Sequence, residues 1–151
     1  MHPRLKHITL SLIERRLSPA TLARIDEIES LMDEAQSDAF GFAPEQIKWV
    51  LPIMAFIYEY YFRVETTGIE NVPSGRVLLV ANHSGQIPLD GMMIGTALLT
   101  EGTPPRPLRS MVERWIPSLP HVSRLFSRLG QVLGTPENCR HLLQSEEAVL
   151  V

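Results

Sequence analysis

Val77-Leu78-Leu79-Val80-Ala81 is an unbroken apolar run, set between the turn residues Pro73-Ser74-Gly75 and a polar loop from Asn82 to Leu89. A short apolar run without alternation predicts a strand covered on both faces, the kind that builds parallel α/β sheets. The rest of the chain agrees with that architecture. Gly91 to Thr100 has helical apolar spacing through Met93, Ile94, Ala97 and Leu98. Leu108 to Val112 reads as the next strand, and Trp115 to Leu129 as helix interrupted at Pro117 and Pro120. Gln131-Val132-Leu133 is a short strand, and Thr135-Pro136-Glu137 opens a helix to about Gln144. Ala148 begins a last buried strand, and Val64 to Thr67 suggests a short edge strand. Strands alternating with helices predict an α/β fold with a mostly parallel sheet flanked by helices.

Two helices are expected ahead of the sheet. Ser18-Pro19 is an N-cap followed by a first-turn proline, and Leu22, Ile25, Met32 and Ala35 then recur at helical spacing. Between Asp26 and Glu45 the chain carries seven acids and no Lys or Arg, which predicts a solvated helix face. Gly41 breaks this segment. A second helix from Pro44 to Phe62 holds Trp49, Phe56, Tyr58, Tyr60, Tyr61 and Phe62. Such aromatics suit a membrane interface, or they cover the following sheet; the two are compatible if each face does one job. The expected division is 1–62, a helical region and interface anchor, and 63–151, a partial α/β domain. The longest apolar run, Trp49 to Tyr58, has ten residues, whereas a membrane-spanning helix needs about 20. Charges scattered from Met1 to Ser18 do not make a secretory signal. Because a buried strand normally leads into a loop, the final Ala148-Val149-Leu150-Val151 predicts that the sequence is a piece of a longer protein.

A net charge of −3 gives no basic field for nucleic acid, so no nucleic-acid partner is expected. The single cysteine, Cys139, leaves no internal disulfide or multi-cysteine zinc site and fits a reducing compartment. It reads as a small apolar residue of its helix. His2, His7, His121 and His141 lack ligand spacing, and no metal site is expected.

Chemistry concentrates where the first strand ends, since ligands of open α/β sheets gather at the carboxyl ends of strands. There the chain reads Asn82-His83-Ser84-Gly85-Gln86-Ile87-Pro88-Leu89-Asp90. A histidine can exchange protons near neutral pH, and a carboxylate can hold its tautomer and stabilise the imidazolium. Over an ideal helix, seven residues separate the two by about 10.5 Å. The segment must therefore fold back as a loop, with Asp90 near the first turn of the next helix. On the residues alone, a loop in which Asp90 merely caps that helix stays equally open.

Val80-Ala81-Asn82-His83-Ser84-Gly85, with Pro88 and Asp90 beyond, resembles the first motif of the glycerolipid acyltransferases, the superfamily of glycerol-3-phosphate and lysophosphatidic acid acyltransferases. The usual motif has four residues between histidine and aspartate. This chain has six, and so is similar to a variant His-Ser-Gly…Pro-x-Asp branch. Gly68-Ile69-Glu70-Asn71-Val72-Pro73 resembles the family's lead-in to its first core strand, and Leu129 to Leu133 followed by Thr135 to Leu143 its second region. Pro136 stands where that region often carries a phosphate-binding arginine. The family's Phe-Pro-Glu-Gly motif would follow directly after a strand like Ala148 to Val151.

The resemblance implies an O-acyltransferase of phospholipid and glycerolipid synthesis. The acyl donor would be a thioester, acyl-CoA or acyl carrier protein, with no other cofactor, and the acceptor a glycerolipid hydroxyl at the membrane surface. The enzyme would be cytoplasmic and peripheral on the membrane. His83 would be the general base and Asp90 its orienter, with no covalent enzyme intermediate. Ser84 is given a loop role beside the substrate, since Asn-His-Ser-Gly is no nucleophile elbow. Gly85 would let substrate approach the backbone. Five arginines from Arg106 to Arg128 face only one acid, Glu113. Such a surplus suits phosphate, with Arg109 and Arg124 the candidates for binding it, while a solvated surface face accounts for most of the others. The competing readings are a catalytically incomplete, lipid-associating fragment of the same fold, and an α/β hydrolase using His83, which the missing serine elbow disfavours.

Overall fold

The computed structural model describes residues 12–35, 37–82, 88–115 and 122–151. Helix α1 spans Pro19–Glu34. Ser18 caps it, its hydroxyl accepting from the Thr21 amide at 3.1 Å, and Pro19 fills the first turn, where no amide donor is needed. Ile25, Ile28 and Met32 form its buried stripe. Ala35, expected on that stripe, is instead the exposed C-cap.

A 3-10 turn at Pro44–Gln46 leads into α2, Ile47–Phe56, which continues as a π-helical turn over Ile57–Phe62. Ile47, Leu51 and Ala55 bury one side of α2 against α1, and Leu99 of the later helix α3 joins the same cluster. The helical region thus shares a core with the α/β part. Fully burying each Leu or Ile side chain stabilises the fold by roughly 1.5–3 kcal/mol.

The sheet is four parallel strands in the order β1-β4-β2-β3: β1 Val77–Leu79, β2 Leu108–Val112, β3 Val132–Leu133 and β4 Ala148–Leu150. Helix α3, Leu89–Thr100, joins β1 to β2; α4, Val122–Arg128, joins β2 to β3; α5, Pro136–Gln144, returns the chain to β4. β4 therefore inserts between β1 and β2, and its residues Ala148 and Val149 are fully buried. The expected α/β fold, parallel sheet and preceding helices are all present.

Local expectations need two corrections. β1 is not covered on both faces: it lies at one end of the described strand order, Leu78 is 46% exposed and Val80, just past the strand, 78%. The inner place that its apolar run suggested belongs to β4. Val64 to Thr67 forms no strand. The chain leaves the π turn through Arg63 in the left-handed region (φ 51°), and the Val64 amide turns back to the Tyr58 carbonyl at 3.0 Å. The segment from Trp115 to Leu129 contains the helix Val122–Arg128, and residues 116–121 lie outside the described ones.

Candidate active site

β1 delivers the chain to the carboxyl edge of the sheet. The Ala81 amide still pairs with the Val151 carbonyl at 3.2 Å, so the backbone is held up to that residue. Asn82 follows, exposed. His83, Ser84 and Gly85 lie outside the described residues. The chain re-enters at Pro88, whose carbonyl accepts the first helical bond of α3, from the Met92 amide at 3.0 Å. Asp90 sits in the first turn of α3, as expected, with Oδ1 accepting from the Gly91 amide at 2.8 Å. The positive end of the helix dipole favours an ionised carboxylate there. The two described ends of this segment, Asn82 and Pro88, therefore stand at the rim of the sheet, and the expected fold-back between them lies outside the described residues.

An apolar groove of about 450 Å³ lies between the end of β1, α3 and the stretch before β1. Leu79, Ala81, Ile94, Ala97 and Val72 line it, with Thr66 among its few polar groups. At the ends of β2 and β3, a second cavity of about 400 Å³ is lined by Ser123, Arg124, Ser127, Gln131 and Asn138 beside Val112 and Leu133. Strands lie about 4.8 Å apart, so β3 ends roughly 14 Å across the sheet from β1. Pro136 is the first residue of α5 at this cavity's edge, behind Thr135, whose hydroxyl accepts from the Asn138 amide at 3.2 Å.

The arginines separate sharply. Arg124 is exposed and lines the second cavity. Arg109 is 0% exposed, inside the protein. Its Nη1 contacts Asp38 at 2.6 Å and Glu147 at 3.5 Å, its Nε donates to the Gly130 carbonyl at 3.2 Å, and its guanidinium lies 4.8 Å from the Phe42 ring. The expectation that Arg109 binds substrate phosphate is corrected on this geometry: its guanidinium is shut off from solvent and already faces two carboxylates. Asp38 likewise leaves the solvated acidic face to which the sequence assigned it. Burial pushes the Glu147 carboxyl above its usual range, while Arg109 pulls it back. Arg106 is also engaged, donating to the carbonyls of Pro73 at 2.6 Å and Glu146 at 2.8 Å.

Gly130 carries positive φ, +96°, and a Cβ there would stand 3.1 Å from the Leu108 carbonyl and 3.5 Å from Arg109 Nε. Glycine is what lets β3 start against the buried arginine.

Sequence reasoning missed the carboxylate partners of Arg109 and a cluster formed by Tyr58, Thr66 and Glu101. A usable signal existed for the first. A charged residue inside an apolar strand is rarely buried without a partner.

Residues 63–151 match the sequence model of the Acyltransferase family. The chain belongs to the acyltransferase family. This is the glycerolipid acyltransferase grouping that the Asn82-His83 motif resembles. Among curated proteins, the acyltransferase chain is 36% identical over 116 residues to an uncharacterised protein of Mycobacterium leprae, covering 76% of this chain and 32% of the relative. It is 33% identical over 125 residues to an uncharacterised protein of Mycobacterium tuberculosis, covering 82% of this chain and 35% of the relative. The chain thus spans about a third of the length of the relatives it matches. No solved structure matches it.

Proposed function

We propose that this acyltransferase moves a fatty acyl group from an acyl-CoA or acyl carrier protein thioester to a hydroxyl of a glycerolipid acceptor. His83 takes the hydroxyl proton while Asp90 orients and electrostatically supports the imidazole. The acceptor oxygen attacks the thioester carbonyl, the thiolate leaves, and the imidazolium returns the proton to it. No enzyme-bound acyl group intervenes and no further cofactor is required by this chemistry. Proximity and proton transfer then carry the rate enhancement.

The supporting observation is the layout of the sheet's carboxyl edge. β1 leads to Asn82 and Asp90 sits in the first turn of α3, with an apolar groove beside β1 and α3 and a polar cavity containing Arg124 at the ends of β2 and β3. An acyl chain suits the first and a polar or phosphorylated acceptor headgroup the second. Ser84 and Gly85, next to His83 in sequence, are assigned to the substrate's surroundings in this reading.

Membrane attachment is part of the proposal. Trp49, Ile53, Tyr60, Tyr61 and Phe62 are exposed on α2 and the π turn, and no helix among the described residues is long and apolar enough to cross a membrane. Aromatic rings with one polar edge suit the interfacial layer. Peripheral binding, at the cytoplasmic face, is proposed together with it.

The test is acyl transfer by the full-length protein with glycerol-3-phosphate, lysophosphatidic acid and diacylglycerol offered in parallel. His83→Ala should abolish transfer with folding intact, and Asp90→Asn should lower it by about 10²-fold or more. Normal turnover by His83→Ala would overturn the assignment.

A further inference from the structure

The polar wall of the cavity at the ends of β2 and β3 is mostly neutral. Ser123 and Ser127 bring hydroxyls, Gln131 and Asn138 bring amides, and Arg124 is the one charged side chain among the described residues that line it. These groups offer acceptors as well as donors. Asn138 spends an Nδ2 proton on the Leu133 carbonyl at 2.9 Å, which leaves its Oδ1 to accept. Ser127 donates to the Arg124 carbonyl at 3.2 Å, so its oxygen is likewise left to accept. The side-chain oxygen of Gln131 is enclosed and meets no donor among the described residues. A buried acceptor without a donor is uncommon and costly.

Phosphate suits such a wall poorly, because a phosphate monoester brings acceptors and is recognised by cations and N–H donors. A sugar hydroxyl both donates and accepts. Phe40 and Phe126 add aromatic surface to the same cavity, against which the C–H face of a sugar ring gains dispersion contacts.

Span points the same way. β1, which leads to Asn82 and His83, lies two places from β2 and three from β3 in the strand order. At about 4.8 Å per place, an acceptor must reach about 10–14 Å from its reacting hydroxyl to its headgroup. An extended chain advances about 1.3 Å per bond, so the bonds from a glycerol hydroxyl to a phosphate oxygen cover about 6–8 Å. The bonds from the same hydroxyl to the far oxygen of a glycosidically linked hexose cover about 10 Å.

We propose that the acceptor is a lysoglycerolipid whose neutral, polyhydroxylated ring headgroup sits in this cavity. This rests on the acyl-transfer reading, with His83 receiving the glycerol hydroxyl. A rotamer change of Gln131 gives its oxygen a ring hydroxyl as donor, Asn138 and Ser127 accept from neighbouring hydroxyls, and Arg124 donates to ring oxygens. The transfer itself is unchanged: the glycerol oxygen gains the acyl group, and the thiolate leaves with the proton.

The experiment gives the full-length protein acyl-CoA with, in parallel, lysophosphatidic acid, monoacylglycerol, and monoacylglycerol glycosylated with glucose or galactose. Calorimetry without donor measures each acceptor and the free methyl glycosides. The better glycosylated acceptor should exceed both others in kcat/KM by about 10²-fold or more. Gln131→Leu should raise KM for it about tenfold, more than it lowers kcat, while Tm is held or raised because a buried unpaired oxygen is removed. Ser123→Ala, expected to raise KM about threefold, decides the matter if Gln131→Leu does not fold. Lysophosphatidic acid used as well as the glycosylated acceptors, or KM unmoved in the variants, would overturn the headgroup assignment and leave acyl transfer standing. A free methyl glycoside bound as tightly as the glycosylated lipid would make the cavity a free-sugar site and overturn the acceptor role. Transfer to none of the acceptors would overturn the acyl-transfer reading itself.

Discussion

Replacing Arg109 with methionine removes the charge while retaining an unbranched side chain of comparable reach. The guanidinium is fully enclosed and faces Asp38 and Glu147, so the variant leaves two carboxylates without their cation. Removing one partner of a buried ion pair costs about 3–5 kcal/mol. Asp38 and Glu147 keep 28% and 32% side-chain exposure, so water relieves part of that cost, and about 3 kcal/mol at neutral pH is the expected loss. For a chain of this size that lowers Tm by about 6–12 °C. The loss should also depend on pH. Burial raises the folded-state pKa of Glu147 above its ordinary value, and Arg109 opposes the rise. A carboxyl raised in the folded state contributes stability that is full below its unfolded pKa and lost as pH rises through its folded pKa. Without Arg109 that folded pKa climbs further, so the variant should recover stability relative to wild type as pH falls from above neutral toward the ordinary carboxylate range and Glu147 protonates. Urea unfolding at both ends of that window measures it. Adding Asp38→Asn and Glu147→Gln to the variant should restore much of the loss at the higher pH. A loss below about 1 kcal/mol, or one unchanged across the window, would refute the buried-charge argument.

Three further outcomes are expected. Gly130→Ala should destabilise the protein by about 1–3 kcal/mol, because alanine must hold φ near +96° with its Cβ 3.1 Å from the Leu108 carbonyl; chemical denaturation reads this directly. Thr135→Ala removes the N-cap of α5 and should cost about 1 kcal/mol by the same measurement, with Thr135→Ser close to wild type. Replacing exposed Trp49 and Ile53 with serine should weaken co-sedimentation with phospholipid vesicles while leaving Tm nearly unchanged, whereas unchanged co-sedimentation would remove these side chains from the membrane contact.

Periodicity and punctuation determined most of the element order. Apolar runs located β1, β2, β3 and β4, and Ser18-Pro19 and Thr135-Pro136 located helix starts, because strand burial and N-capping are local chemistry written in neighbouring residues. The position of Asp90 in a first turn was legible for the same reason: proline at 88 suits a helix start and disfavours helix before it. Strand order was not. β1 looks more deeply buried in sequence than β4, yet β4 is central and β1 has an exposed side, since lateral order depends on where each crossover helix returns the chain rather than on the composition of one strand. The arginines make the same point in chemical terms. Arg109 and Arg124 read alike as surplus positive charge. Only the folded chain brings Asp38, from a distant acidic stretch, and Glu147 against Arg109, while Arg124 is left at an open cavity. A guanidinium becomes a structural tie or a ligand contact according to which carboxylates reach it, and that pairing is made across the fold, by residues the sequence keeps far apart.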